Sequence, residues 1–218
     1  MVRRLNFKTR DEWLEKRQSF IGGSDVSSII GVNPYMTNQE LWEIKTGRRK
    51  QADISDKPYV KYGIDAEPII RKLFQLNHPE YKVSYASHNI WLNDKYPFAH
   101  ASLDGWIVEK ETKQKGILEI KTTNIVQSMQ KEKWGTSKEP SLPSNYYCQC
   151  LWYLLVTEFD FVKLMALLRY DNDYSAIREY TIRKEEVEKD IEYLRDAAIK
   201  FADQVQNDIR PGLILPSI

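Results

Sequence analysis

The chain has 218 residues, 42% hydrophobic and 12% aromatic, enough for one domain with a sizeable core and too apolar for a disordered polypeptide. Its 32 Lys and Arg against 31 Asp and Glu leave a net charge of +1, so a nucleic-acid partner would need a local basic patch. No apolar run reaches the roughly 20 residues of a bilayer span, and MVRRLNFKTRDEW has no secretory apolar region, which predicts a cytoplasmic protein with no membrane partner.

In chain order, residues 10–20 (RDEWLEKRQSF) bring Trp13, Leu14 and Arg17 together at helical spacing. IGGSDVSSIIG follows, with Ser24 as the expected N-cap and Val26, Ile29 and Ile30 as the apolar face of a short helix, broken by Asn33-Pro34. Thr37 and Glu40 form a capping box for a helix that Gly47 stops. Residues 57–77 predict a helix, in one piece or in two around Pro68. Four β-rich runs come next, YKVSY, HNIWL, FAHASLDGWIVE and GILEIKTT, the last two joined by the turn ETKQKG. Residues 144–158 are too long and apolar for a strand and predict a buried helix. Its Cys148 and Cys150 are too close to bridge and have no zinc-type spacing, as in a reduced compartment. DFVKLMALLRY and AIREYTIR read as strands, Lys184 to about Gln206 as an amphipathic helix, and PGLILPSI as an irregular tail. This order predicts a single domain over residues 1–218 of α/β (α+β) class, with a mixed central β-sheet flanked by helices.

Three stretches offer basic patches: Arg3, Arg4, Lys8 and Arg10; the run KTGRRK (45–50); and Lys131 to Lys138. Each also reads as an ordinary solvated face.

The chemistry centres on ILEIKTT (117–123). Strand alternation puts Leu118 and Ile120 on one face and Glu119, Lys121 and Thr123 on the other. That is either a surface Glu–Lys pair on a half-exposed antiparallel strand or half of a site. Asp104, beside Gly105, sits at a bulge or turn, and a hairpin across ETKQKG would set it against Glu119. Adjacent carboxylates repel unless a cation lies between them, and hard oxygens suit Mg²⁺ or Mn²⁺. Lys121 could then orient a water or stabilise charge developing on a phosphate. His78, His88 and His100 show no ligand spacing, and His100 reads as structural.

Asp104 followed by Glu119-Ile120-Lys121 on the next strand resembles the PD-(D/E)XK nuclease signature, with Leu103 in place of the usual Pro. RQSFIGGSDVSSIIG (17–31), GIDAEP (63–68) and the Gln149-x-x-x-Tyr153 pattern resemble further motifs of the lambda-exonuclease-like, YqaJ-type viral recombinase nucleases. The resemblance implies a restriction-endonuclease-like core and a Mg²⁺-dependent deoxyribonuclease, with Mn²⁺ as a substitute. Asp104, Glu119 and the Ile120 carbonyl would bind metal, Glu67 would support a second ion, and Lys121 and Gln149 would assist the attacking water. Arg17 and Ser24 would hold a 5′-terminal phosphate, and Tyr153 would pack or bond phosphate. Taken singly, these residues also read as a surface arginine, a helix cap, a solvated helix glutamate and satisfied polar groups in an apolar helix.

The reaction implied by the family is 5′-to-3′ digestion of double-stranded DNA from an end, leaving 3′ single strands for phage-type homologous recombination. A homotrimeric ring, a single-strand annealing partner and, for a phage protein, the host cytoplasm belong to the same expectation. The alternatives are an endonuclease or single-strand-specific nuclease on the same fold, or a non-catalytic DNA-binding protein.

Overall fold

A computed structural model describes residues 1–125, 132–136, 138–170 and 174–215. The elements run β1 (Val2–Asn6), α1 (Arg10–Gln18), α2 (Gly23–Ile29), α3 (Asn38–Lys45), α4 (Pro58–Asn77), β2 (Tyr81–Ser84), β3 (Asn89–Asn93), β4 (His100–Ala101), β5 (Gly105–Glu109) and β6 (Lys115–Ile125). They continue with α5 (Ser144–Thr157), β7 (Phe161–Tyr170), β8 (Ser175–Arg183), a 3₁₀ turn (Lys184–Glu186) and α6 (Glu188–Gln206). Among the described residues no helix is long and apolar enough to cross a membrane.

The strands form a three-stranded sheet, β1-β3-β4, and a five-stranded sheet, β2-β5-β6-β7-β8. The larger sheet is mixed: β6 and β7 are parallel, and its other pairs are antiparallel. The parallel pair requires a crossover, which α5 supplies. Helix α4 covers one face, where Ala66, Ile70 and Phe74 pack on Ile107, Leu118, Ile120 and Met165. Helices α2, α5 and α6 cover the other, where Leu151, Trp152 and Leu154 join Ile117, Val162, Leu164 and Ala166 in the larger core.

The covered sheet overturns the half-exposed reading of ILEIKTT. Leu118 and Ile120 do face away from Glu119 and Lys121, but both faces of β6 are buried, and Glu119 is 1% exposed. A parallel partner on one side and helices on both faces bury this strand from Gly116 to Ile120.

FAHASLDGWIVE is likewise not one strand. It splits into β4 in the small sheet and β5 in the large one. At the break, side chains replace the ladder: Asn89 Oδ1 accepts from the Leu103 N–H at 3.0 Å, and Asp104 Oδ2 accepts from the Ile120 N–H at 2.9 Å.

Helix α4 runs unbroken through Pro68. Pro68 and Ile64, whose carbonyl loses its partner, are both exposed, so water can satisfy the freed oxygen. Ser24 is not the cap of α2. Gly22 holds that position, and Asp25 Oδ2 accepts its N–H at 2.9 Å. The glycine pair allows two close approaches. A Cβ on Gly22 would lie 2.3 Å from His100 Cε1, and one on Gly23 would lie 2.5 Å from Tyr153 Cε1.

Three of the four basic residues of KTGRRK are committed elsewhere. Lys45 pairs with Asp25 at 2.7 Å, Arg48 with Asp208 at 2.7 Å, and Arg49 with Glu40 and Glu43 at 2.7 and 2.9 Å. Arg3 and Arg4 lie on β1, a strand with no clear alternation in VRRLN, and Arg4 lies over Trp91 and Trp106. Lys131 lies outside the described residues. The tail over 211–215 is irregular, as its sequence predicts, with Asn38 donating to the Gly212 carbonyl at 2.7 Å; residues 216–218 lie outside the described range.

Candidate active site

The end of the β5–β6 ladder makes the site. Pairing runs from Val108↔Lys115 to Gly105↔Leu118 and stops, so the edge of β6 beyond Leu118 has no strand on that side. Asp104 fills the space by accepting the Ile120 N–H. A residue's N–H and C=O point to the same edge of an extended strand, so the Ile120 carbonyl is directed toward Asp104 as well.

Across the sheet, Glu119 projects beneath α5. Its Oε1 accepts from Lys121 Nζ at 2.5 Å and from Gln149 Nε2 at 2.9 Å, and Gln149 Nε2 also approaches the Tyr153 hydroxyl at 2.8 Å. Glu119 Oε2 is buried and has no hydrogen-bond partner. Glu67 reaches the same cleft from α4, where Arg71, one turn further on, engages its Oε1.

Burial is the largest electrostatic influence on the three acids of this cleft. Burial, reinforced by Asp104, pushes Glu119 up to about 8. Burial and Asp104 also raise Glu67 to about 7, against the pull of Arg71 and Lys121. Asp104 is raised by burial too, opposed by Lys121 and the Ile120 N–H. For Lys121, burial favours the neutral amine, but Glu119 and Asp104 outweigh it and hold the ammonium charged. Protons on the acids thus do the work that a cation would do better.

The donor set fits a hard divalent ion. Glu119 Oε2 is an orphaned buried carboxylate oxygen, and Asp104 and the Ile120 carbonyl lie at the same strand edge. Among the described residues, no three His, Cys, Asp or Glu side chains converge into a ready cage, so the backbone oxygen is needed to complete the set.

The cleft has a volume of about 220 Å³, and Arg17, Ser102, Asp104, Glu119, Lys121 and Gln149 line it. A neighbouring basic pocket of about 340 Å³ is lined by Arg10, Arg17, Ser24, Lys45 and Lys50. Arg17 lines both, its guanidinium 4.3 Å from the Trp13 ring centroid. Arg17, Glu67, Asp104, Glu119, Lys121, Gln149 and Tyr153 are therefore brought together, and Ile120 presents its backbone to them. Ser24 is not at the acids; it is exposed in the adjoining pocket. His100 is buried in the wall of that pocket against Gly22, and burial, with Arg17 nearby, lowers it to about 4.

Sequence reasoning missed three residues. Ser102 lines the cleft with a buried hydroxyl that has no partner. Tyr146 lies under Lys121, with the ammonium 5.1 Å from its ring centroid. Arg71 lies over the Tyr85 ring at 3.6 Å and donates to the Asp104 carbonyl at 2.7 Å. Only Arg71 had a readable signal, its i,i+4 spacing from Glu67.

The fold places the chain in a class. An alkaline exonuclease from Laribacter hongkongensis, LHK-Exo, is similar with a TM-score of 0.62 at 15% identity, over 91% of this chain and 94% of that one. Its complex with dAMP gives a TM-score of 0.63 at 14% identity, over the same shares. At such identities the likeness is one of fold, the restriction-endonuclease-like fold of phage-type exonucleases. The chain belongs to the YqaJ-like viral recombinase domain family, whose pattern matches residues 12–160. The uncharacterized protein YqaJ of Bacillus subtilis (strain 168) is 34% identical over 146 residues. That match covers 67% of this chain and 42% of the relative, so the chain spans less than half of that relative's length.

Proposed function

We propose that the protein is a Mg²⁺- or Mn²⁺-dependent deoxyribonuclease that digests double-stranded DNA from an end in the 5′-to-3′ direction. The observation that carries this reading is the buried Glu119, fixed by Lys121 and Gln149 through one oxygen and left with the other free beside Asp104. A surface ion pair has no reason to bury a carboxylate in this way, and a plain DNA binder gains nothing from crowding acids near phosphate.

Asp104, Glu119 and the Ile120 carbonyl would hold the ion, and Glu67 would support a second. Bound there, such an ion supplies Lewis-acid charge to the phosphate and acidifies water at neutral pH. Lys121 holds its proton beside the reacting phosphate and neutralises charge that develops on it. Gln149 orients Glu119 and offers an amide to the water or phosphate, and Tyr153 supports Gln149 from one turn along α5. Arg17, shared between the cleft and the basic pocket, holds the 5′-phosphate with Ser24 in the pocket. The 3′ single strands left behind suit homologous recombination with a single-strand annealing protein, and a homotrimeric ring around DNA is the assembly proposed with it.

The test is Mg²⁺-dependent degradation of linear duplex DNA bearing a 5′-phosphate, compared with Glu119→Ala and Lys121→Ala. Activity is expected in the wild type and lost in both variants. Wild-type protein inert on every DNA with Mg²⁺ or Mn²⁺ would overturn the nuclease reading. Closed circular DNA cut as fast as linear DNA would overturn the end requirement alone.

A further inference from the structure

Arg71 contacts two of the cleft's acidic residues without lining the cleft itself, and the proposed reaction leaves it without a task. Its side chain is 12% exposed, lies over the Tyr85 ring, and is held along one edge of its guanidinium. Its Nε donates to the Asp104 carbonyl at 2.7 Å, and its Nη2 engages Glu67 Oε1. One guanidinium therefore ties together the two segments that bring Glu67 and Asp104 to the cleft.

We infer that Arg71 stands in the place of a second cation and limits the DNA-free protein to one divalent ion. The inference rests on the proposed metal-dependent reading of this site. Glu67 is the acid assigned to the second ion, and Arg71 already engages one of its two carboxylate oxygens. Glu119 Oε2, in contrast, is buried and free, so the first ion meets an open ligand. Charge gives the same order. With all three acids ionised, and with Arg17 set aside because the basic pocket shares it, Arg71 and Lys121 leave a deficit of one charge at the acids. A first divalent ion turns that into a surplus of one, and a second would raise it to three, which a partly buried site does not tolerate without an anion. The phosphate of bound DNA supplies that anion and competes for the guanidinium, whose fork matches phosphate as well as carboxylate. The second ion then enters only with substrate.

A salt bridge of purely structural value would change stability and leave the number of bound ions alone, so counting ions separates the two. The metal-free protein is titrated with Mn²⁺ and the free ion is followed by electron paramagnetic resonance. One ion per chain is expected for the wild type and for Arg71→Lys, and two for Arg71→Met, which keeps the stem and drops the charge. Glu67→Gln should bind one ion with affinity within about threefold of wild type, because Glu67 is not a ligand until Arg71 leaves it. A loss of about tenfold or more, the size seen when a group supporting a metal is removed, would overturn the inference. So would two ions of similar affinity in the wild type, or a single ion in folded Arg71→Met. Should Arg71→Met not fold, Glu67→Gln decides. Absence of Mn²⁺ binding in every protein would overturn the metal reading itself, and this inference with it.

Discussion

The acid centre and the basic pocket share Arg17 but are built on opposite principles. In the acid centre every acid is held by a partner: Glu119 by Lys121 and Gln149, Asp104 by the Ile120 N–H, and Glu67 by Arg71. In the basic pocket Ser24, Arg10 and Lys50 are exposed, and Lys45 is spent on Asp25. The first site stores electrostatic tension in a dry place, where a substitution should change chemistry. The second presents charge to water, where it should change the choice of substrate and respond to salt.

The sharpest way to break that contrast is at the acids. Glu119→Ala should lower nuclease turnover by about 10³-fold or more, and Lys121→Ala by about 10²- to 10⁴-fold, on all DNA ends alike. Arg17→Ala should cost about 10- to 100-fold on 5′-phosphorylated ends and much less on 5′-hydroxyl ends, a difference that rising salt narrows. Equal losses on the two ends would merge the sites into one.

The dry site should also reveal itself through pH. The folded protein holds protons on Glu67 up to about 7 and on Glu119 up to about 8, whereas the unfolded chain releases them near the ordinary 4.5. The folded state therefore binds more protons between those values, and stability is lost as pH rises through that window. Thermal melts of metal-free protein should show Tm falling between about pH 5 and pH 8. Mg²⁺ or Mn²⁺ should restore most of the loss at pH 8, and a flat profile would show that the acids are hydrated after all.

Smaller effects test the walls. A Cβ on Gly23 would lie 2.5 Å from Tyr153 Cε1 and 3.0 Å from Gln149 Cγ. Gly23→Ala should cost about 1–3 kcal/mol in chemical denaturation and lower activity by displacing Gln149. Smallest of all, Ser24→Ala should change stability by less than about 0.5 kcal/mol, because the residue is exposed and caps nothing. Asp25→Ala should cost about 1 kcal/mol, because it removes the carboxylate that caps Gly22 and pairs with Lys45.

Much of this was legible in order along the chain. The alternation in GILEIKTT separates Leu118 and Ile120 from Glu119 and Lys121, and the turn ETKQKG sets Asp104 beside the same strand. Helical spacing relates Gln149 to Tyr153 and Glu67 to Arg71. Burial was not legible, because Glu119 looks like any strand glutamate until α5 and the parallel neighbour β7 close over it. Nor was the break at Asp104, because Ala101 and Ile107 read as parts of one strand-like run although they serve two sheets.

By itself, then, the sequence determined which side chains share a strand face or a helix turn, because periodicity is a property of local backbone geometry. It thereby determined the acids, the amine and the arginine that could meet. The tertiary structure alone decided that the β5 ladder stops at Gly105 and that Asp104 takes over the Ile120 N–H. It also decided that Arg71 occupies Glu67 while Glu119 keeps one oxygen free. Those are outcomes of packing between segments far apart in the chain, where desolvation and charge are settled by neighbours that no local pattern names.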